Sequence, residues 1–339
     1  VKQLAGFTML GEHLNAHPGT DKYVFHAGPS PVTVDTRDGS PTGCVHCGEC
    51  MAGCIRDAIY SSRDAFLRCI GQKTVRFVGT RVREVRIRNN KPVVYAGDGS
   101  PESFDKVFLA AGCPSTTEIL MRSLHLEQGP VLQDNVIYQY PLINLTRHSD
   151  TEKDKYFGLT NLLVLAEPKR PDLPLLQVQF YPNVDYLWRT LVPRWLWKTV
   201  RHPVTWTRDR IMWARVYMDA ADSYRYSVHL TDDRLEFAEE HVPDQGKVTP
   251  FLESMREVLG GSGFFMPPIK PVLAHTSAHL GGTFPYNGKL VAVARDSEVA
   301  PLPHVHIADS TCFPESPVVS PTLTIMANAR RTAVEALSC

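Results

Sequence analysis

The chain has 339 residues, and Lys+Arg and Asp+Glu both number 36, so its formal net charge is zero. This balance argues against bulk electrostatic attraction to nucleic acid or to an anionic membrane. The apolar fraction of 43% can fill a sizeable core, no run of about 18 apolar residues offers a transmembrane helix, and four of the eight cysteines crowd into residues 44–54. A disulfide framework spreads its cysteines along the chain, so this clustering points to a metal or redox site in a reducing compartment such as the cytoplasm.

Residues 1–43 are rich in Gly, Pro, His and Asp and read as an irregular lead-in, with no signal-peptide pattern after Val1. Next, Cys44, Cys47, Cys50 and Cys54 have the C-x₂-C-x₂-C-x₃-C spacing of a bacterial iron–sulfur run, with Ile55 where proline is expected. In two-cluster ferredoxins the fourth cysteine of such a run serves the other cluster. A single cluster here would use Cys44, Cys47 and Cys50 together with Cys69, Cys113 or Cys312, or with no fourth thiolate, as suits a three-iron cluster. Zinc on all four thiolates is a further reading.

Arg56–Ile70 reads as a helix, followed by strands at Thr74–Val78, Arg81–Arg88 and Pro92–Ala96, with Asn89 and Asn90 as a hairpin turn. Lys106–Ala111 is an apolar strand of the buried kind, ending at Gly112, and a helix covers Ser115–Ser123. This order assigns 44–129 to part of a nucleotide-binding α/β domain. Residues 130–272 change texture, with strands at Leu175–Tyr181 and Tyr224–Leu230, and read as an inserted sheet-based domain that faces substrate. All five tryptophans lie here (Trp188, Trp195, Trp197, Trp206 and Trp213), interleaved with basic residues. Their expected role is to cover a cavity, with peripheral membrane contact as a minor alternative, because Pro193 and Pro203 should break a long amphipathic helix.

Residues 273–339 return to the first texture. His275 and His279 precede Gly281 and Gly282; a strand at His304–Ala308 ends in Asp309; Phe313 and Pro314 follow; and Ser320, Pro321, Thr322 and Leu323 open a helix running to Leu337. Each piece suits the neighbourhood of a flat, electron-rich cofactor. Glycines let backbone approach a ring, an acid at a strand end can accept a hydroxyl, and a helix N-terminus offers free N–H groups and partial positive charge.

This segment, with Val107–Ser123, resembles the glucose–methanol–choline oxidoreductases, whose pattern is a histidine, a Gly-Gly loop, an Asp-x-x-x-Phe-Pro strand end and an Asn-Pro-x-x-Thr-Ile helix start. The resemblance covers both ends of the chain well and the middle loosely. It implies an α/β (α+β) fold, here an incomplete FAD-binding Rossmann-like domain with an inserted sheet-based substrate domain. It implies an alcohol or sugar as substrate, with hydride passing to FAD and His279 taking the hydroxyl proton. Val82, Ala111, Gly112, Gly281, Gly282, Asp309, Pro321, Thr322 and Leu323 become the expected FAD contacts. Ser320 stands where the family usually has Asn or His, so His275, His304 or Asn328 is a candidate substitute.

The family's first βαβ unit, with its Gly-x-Gly-x-x-Gly turn, has no counterpart in this sequence. The expectation is therefore a C-terminal portion or one subunit, binding FAD poorly by itself. Some relatives have a similar cysteine loop, and certain sugar dehydrogenases of the family carry an iron–sulfur cluster. Two rival readings follow: an iron–sulfur electron-transfer module, or a non-catalytic partner subunit. The electron acceptor is not legible.

Overall fold

The computed structural model describes residues 4–72, 75–97, 99–146, 155–183, 193–208, 210–232, 234–274 and 279–338. The chain is mixed α/β. It begins with helix α1 (Ala5–Ala16) and strand β1 (Tyr23–Pro29), where the sequence suggests an irregular lead-in. The physical reason is an apolar stripe at Leu4, Phe7, Leu10 and Leu14, all buried, which the intervening Gly6 and Gly11 disguise. Burying each of those large side chains contributes about 1.5–3 kcal/mol. Gly11 also has a packing use, because a Cβ there would meet Leu162 Cδ1 at 3.0 Å.

Helix α2 (Ser62–Ile70) starts later than expected, where the Ser61 hydroxyl caps it by accepting from the Arg63 N–H at 3.2 Å. Among the described residues, 75–78 form no strand, and Val75, Phe77 and Val78 are exposed. Strands β2 (Val82–Arg88) and β3 (Lys91–Ala96) form the expected hairpin. Asn89 and Asn90 both have positive φ, 51° and 59°, the requirement of a type I′ turn. Then come β4 (Glu102–Ser103), β5 (Val107–Leu109) and α3 (Cys113–Ser123).

The middle of the chain supplies β6 (Gln128–Asp134), β7 (Ile137–Asn144), β8 (Leu162–Pro168) and β9 (Leu176–Pro182). It continues with helix α4 (Arg194–Arg208), β10 (Ile211–Met218), β11 (Tyr224–Thr231) and β12 (Arg234–His241). Helix α4 runs through Pro203, contrary to the expectation that this proline breaks it. Trp195 and Trp206 on it are exposed rather than covering a core, Trp213 donates to Asn183 Oδ1 at 3.2 Å, and Trp188 lies outside the described residues. The last elements are α5 (Thr249–Val258), β13 (Phe264–Phe265), β14 (Val272–Ala274), β15 (Glu298–Val299), β16 (Leu302–Ile307) and α6 (Thr322–Ser338). No helix among the described residues is long and apolar enough to cross a membrane.

These elements form two compact units. Unit 1 takes residues 1–77, 137–217 and 245–274 and is built on a seven-stranded antiparallel sheet ordered β1-β8-β9-β10-β7-β13, with β14 also on β7. Its core includes Tyr23 and Phe25 of β1, packed edge to face against Phe251 of α5 with centroids 6.1 and 6.3 Å away.

Unit 2 takes residues 78–136, 218–244 and 275–339. It holds three small sheets: β2-β3-β4, β6-β11-β12, and β15-β16-β5. In the last of these, β16 and β5 pair in parallel with Val305 opposite Val107, so the two strands that carry the family resemblance lie in one sheet. Val85, Leu109, Leu120, Leu132, Phe284 and Ile307 share its core. The division differs from the sequence reading: residues 44–77, with the cysteine run and α2, sit in unit 1, and residues 130–136 and 218–244, with β11 and β12, sit in unit 2.

Candidate cofactor site and cysteine loop

In unit 2, β5 leads through Ala111 to Gly112, whose φ of 83° suits a residue without a side chain, and α3 begins at Cys113. Asp309, buried at the end of β16, clasps this turn. Its Oδ2 accepts from the Gly112 N–H at 3.1 Å and from the Thr116 hydroxyl at 2.5 Å. Its Oδ1 accepts from the Thr311 N–H at 2.9 Å and from the Thr311 hydroxyl. The Thr116 oxygen in turn accepts from the Ala111 N–H at 3.2 Å. An ionised carboxylate has about four acceptor positions, and here the protein's own donors fill them. The sequence suggests a hydroxyl of the cofactor as the partner of Asp309. In the structure these four bonds fix the strand–turn–helix geometry.

The Gly281-Gly282 loop is joined to the same framework. Gly281 exchanges backbone hydrogen bonds with Gln133 at 3.0 and 3.1 Å, and the Gly282 N–H donates to the Ser310 carbonyl at 3.1 Å. A Cβ on Gly281 would lie 3.1 Å from the Ser310 carbonyl oxygen, and Gly282 has φ 82°. Beside it, Thr283 is buried and shares a 2.7 Å hydrogen bond with Thr117 of α3. An open pocket of about 400 Å³ borders this loop, lined by Gln133, Gly282, Thr283, Phe284 and Pro314 among others.

His279 is half-buried, and burial lowers its pKa, which favours the neutral imidazole. Its carbonyl lies 2.6 Å from the Ser316 hydroxyl, which is also 2.8 Å from Asn135 Oδ1. Ser316 and Val318 are buried on the approach to α6, Ser320, Thr322 and Leu323 are exposed, and Pro321 is buried. The N-terminus of α6 thus presents its first turn outward, as a ring- or phosphate-facing helix end must. Asn328 is committed elsewhere, accepting from the Tyr286 hydroxyl at 3.0 Å and from Arg331 at 2.9 Å. His304 is half-buried with φ 66°, Val82 is half-buried at the start of β2, and His275 lies outside the described residues.

In unit 1, Cys44, Cys47, Cys50 and Cys54 line one small pocket with Val45, Ala58, Ile59 and Phe157. All four are free thiols. Three of the sulfurs accept backbone N–H groups: Cys44 from His46 at 3.4 Å, Cys50 from Gly158 at 3.3 Å and Cys54 from Ala58 at 3.3 Å. Burial pushes the Cys50 thiol up, the Gly158 N–H opposes this, and Cys47, Cys44 and Cys54 add to the rise. Of the remote candidates, Cys69 is exposed, while Cys113 and Cys312 are buried thiols of unit 2.

Segment 156–158 holds the loop in place. Cys47 pairs with Tyr156, and a Cβ on Gly158 would fall 1.8 Å from the Gly48 carbonyl oxygen. Gly158→Ala should therefore displace the cysteine loop. The check is thiol labelling of the metal-free protein, in which Cys50 is expected to react faster than in the wild type.

No family model matches the chain, and no curated protein matches it. Among solved structures, it is similar to an FAD-dependent oxidoreductase from Chaetomium thermophilum, with a TM-score of 0.61 and 13% identity over 99% of this chain and 72% of that one. It is also similar to pyridoxine 4-oxidase from Mesorbium loti, with a TM-score of 0.50 and 14% identity over 78% of this chain; the match spans 58% of the oxidase. At these identities the likeness is one of fold.

Proposed function

We propose that the chain is part of an FAD-dependent oxidoreductase that acts on the CH–OH group of an alcohol or sugar, as the resemblance to glucose–methanol–choline enzymes implies. The observation that carries this reading is the single hydrogen-bonded framework of unit 2. In it the Gly112 turn, the Gly281-Gly282 loop and the Asp309 clasp join, with His279 on the same loop. The fold likeness to an FAD-dependent oxidoreductase and to pyridoxine 4-oxidase supports it.

The residues fit a flat cofactor at Gly112, which is exposed with nothing within 4 Å of where a Cβ would stand, and at the outward-facing first turn of α6, while Gly281 and Gly282 are buried against Ser310 and Gln133. When bound, FAD supplies the hydride acceptor. The protein's part is to hold the substrate hydroxyl against a neutral His279, which accepts its proton. Ser320 can donate a hydrogen bond to the same oxygen, as a weaker replacement for Asn or His. The pyrophosphate requires a Gly-rich βαβ turn that these 339 residues do not contain. In this reading another segment or subunit provides it. The test is anaerobic addition of alcohols and sugars to FAD-loaded protein. Bleaching of the flavin absorbance is expected with at least one donor, and none with any donor overturns the reading.

The cysteine loop favours a second cofactor, an iron–sulfur cluster, which would pass single electrons. Tetrahedral zinc with Zn–S bonds of about 2.3 Å draws its sulfurs to roughly 3.8 Å from one another. Among the described residues only Asp296, Glu298 and His306 gather three ligand atoms within 4.8 Å, so no three of these thiols do. One pocket with wider-set thiols and N–H···S hydrogen bonds suits a cluster with one iron per thiolate. Anaerobically isolated protein should hold about three to four iron atoms per chain with matching acid-labile sulfide, lost in Cys47→Ser. Zinc alone, or neither element, removes the cluster.

A further inference from the structure

We infer that unit 2 carries a divalent-metal site, separate from the flavin framework and the cysteine loop, formed by Asp296, Glu298 and His306. The three offer ligand atoms that all lie within 4.8 Å of one another. They come together through strand register: Glu298 of β15 stands directly opposite His306 of β16, and Asp296 sits two residues before Glu298. The Glu298 N–H donates to Asp296 Oδ1 at 3.2 Å, fixing the turn that carries both acids.

His306 decides the chemistry. Its side chain is 2% exposed, and Phe108 of β5, its neighbour across the parallel pair, stacks on the ring at 5.3 Å. Nδ1 lies 3.2 Å from the Asp296 carbonyl oxygen and 3.7 Å from Asp296 Oδ2. A neutral imidazole donating from Nδ1 to that carbonyl has its lone pair on Nε2. Nε2 has no hydrogen-bond partner although it is buried, and it faces Glu298 Oε2 at 3.9 Å. That separation is too long for a hydrogen bond. In that tautomer a lone pair faces a carboxylate with no proton between them.

A cation between them relieves both the buried orphan and the repulsion. Metal–ligand distances of about 2.0–2.2 Å place two ligand atoms roughly 3–3.6 Å apart, so closing the gap takes only a small side-chain adjustment. One imidazole and two carboxylates suit Mn²⁺ or Zn²⁺. Asp296 and Glu298 remain about one-third exposed, at 27% and 33%, so solvent can complete the coordination. The two nearby arginines are engaged, since Arg295 and Arg331 both pair with Glu335. The metal would bind β15 to β16 and stiffen the hairpin that leads to Asp309.

The test is an Mn²⁺ titration of the full chain followed by electron paramagnetic resonance, where bound ion loses the free-ion signal. Wild type is expected to bind one Mn²⁺ that depends on this hairpin, and Zn²⁺ should displace it. Glu298→Gln and Asp296→Asn sit at the surface, keep the fold, and should each weaken that binding by at least about 10-fold. His306→Gln should abolish it, with circular dichroism confirming that the fold survives. Mn²⁺ binding that is unchanged in Glu298→Gln and Asp296→Asn places the ion elsewhere and overturns the assignment. So does wild type that binds none at millimolar Mn²⁺, which would leave a proton bridging His306 and the acids.

Discussion

Replacing His279 by alanine in FAD-loaded protein should slow flavin reduction by about 10²–10⁴-fold, the usual contribution of a positioned general base. FAD content should hardly change. The framework around the proposed flavin site is made by Gln133, Ser310, Gly112 and Asp309. The backbone of His279 is tied into it through the carbonyl that reaches Ser316.

The pH dependence follows from burial. Burial lowers the His279 pKa, so the proton-accepting form persists to more acid pH than for a free histidine. Its acid limb in the reduction rate should fall below the ordinary histidine value of about 6.5, with activity lost as pH drops through it. The variant should lose this limb together with its rate. Stopped-flow reduction under anaerobic conditions measures both, and a variant as fast as the wild type removes His279 from the proposed chemistry.

Much of unit 2 is legible in the sequence because local rules and tertiary packing agree there. Asn89 and Asn90 set a hairpin by their backbone preference alone. Gly112 and Pro114 mark a strand–helix junction, and Pro321 marks the start of α6. Unit 1 is less legible. The α1 stripe is interrupted by glycines, and β1 is stabilised by pairing with β8, far along the chain, with Tyr23 opposite Pro168. Pairings at such separation leave no local signature. Residues 75–78 mislead as well, since Val75 and Phe77 look like strand residues yet are exposed. The Asp296–Glu298–His306 group also escapes a sequence scan. Asp-x-Glu followed at a distance by His is ordinary until the β15–β16 register is known. Asp309 shows the converse: its position at a strand end is readable, but its partners, Gly112 and Thr116, are distant in sequence and fix its role.

Asp309→Asn should destabilise unit 2 even without cofactor. The carboxylate accepts from two backbone N–H groups and two hydroxyls in a buried position. An asparagine of the same shape offers one oxygen and one NH₂ group. Whichever way the amide turns, its NH₂ meets either the Gly112 N–H or the Thr311 N–H, donor against donor. The Thr116 and Thr311 hydroxyls can rotate away, but a backbone N–H cannot. Hydrogen bonds to a charged acceptor contribute about 1.5–3 kcal/mol, and an unsatisfied buried donor costs about 1–3 kcal/mol. The expected loss is thus about 2–4 kcal/mol, which for a unit of this size is a fall in Tm of roughly 5–15 °C. Thr116→Val removes the hydroxyl's bond to Asp309 and its acceptance from the Ala111 N–H, but Ala111 is exposed to water, so it should cost less. Calorimetry of the apo-protein separates the two possible roles of this acid. A clasp loses stability with no cofactor present, whereas a residue reserved for a cofactor hydroxyl would leave apo stability intact and lower only FAD affinity. An Asp309→Asn apo-protein that melts with the wild type would therefore return Asp309 to the cofactor.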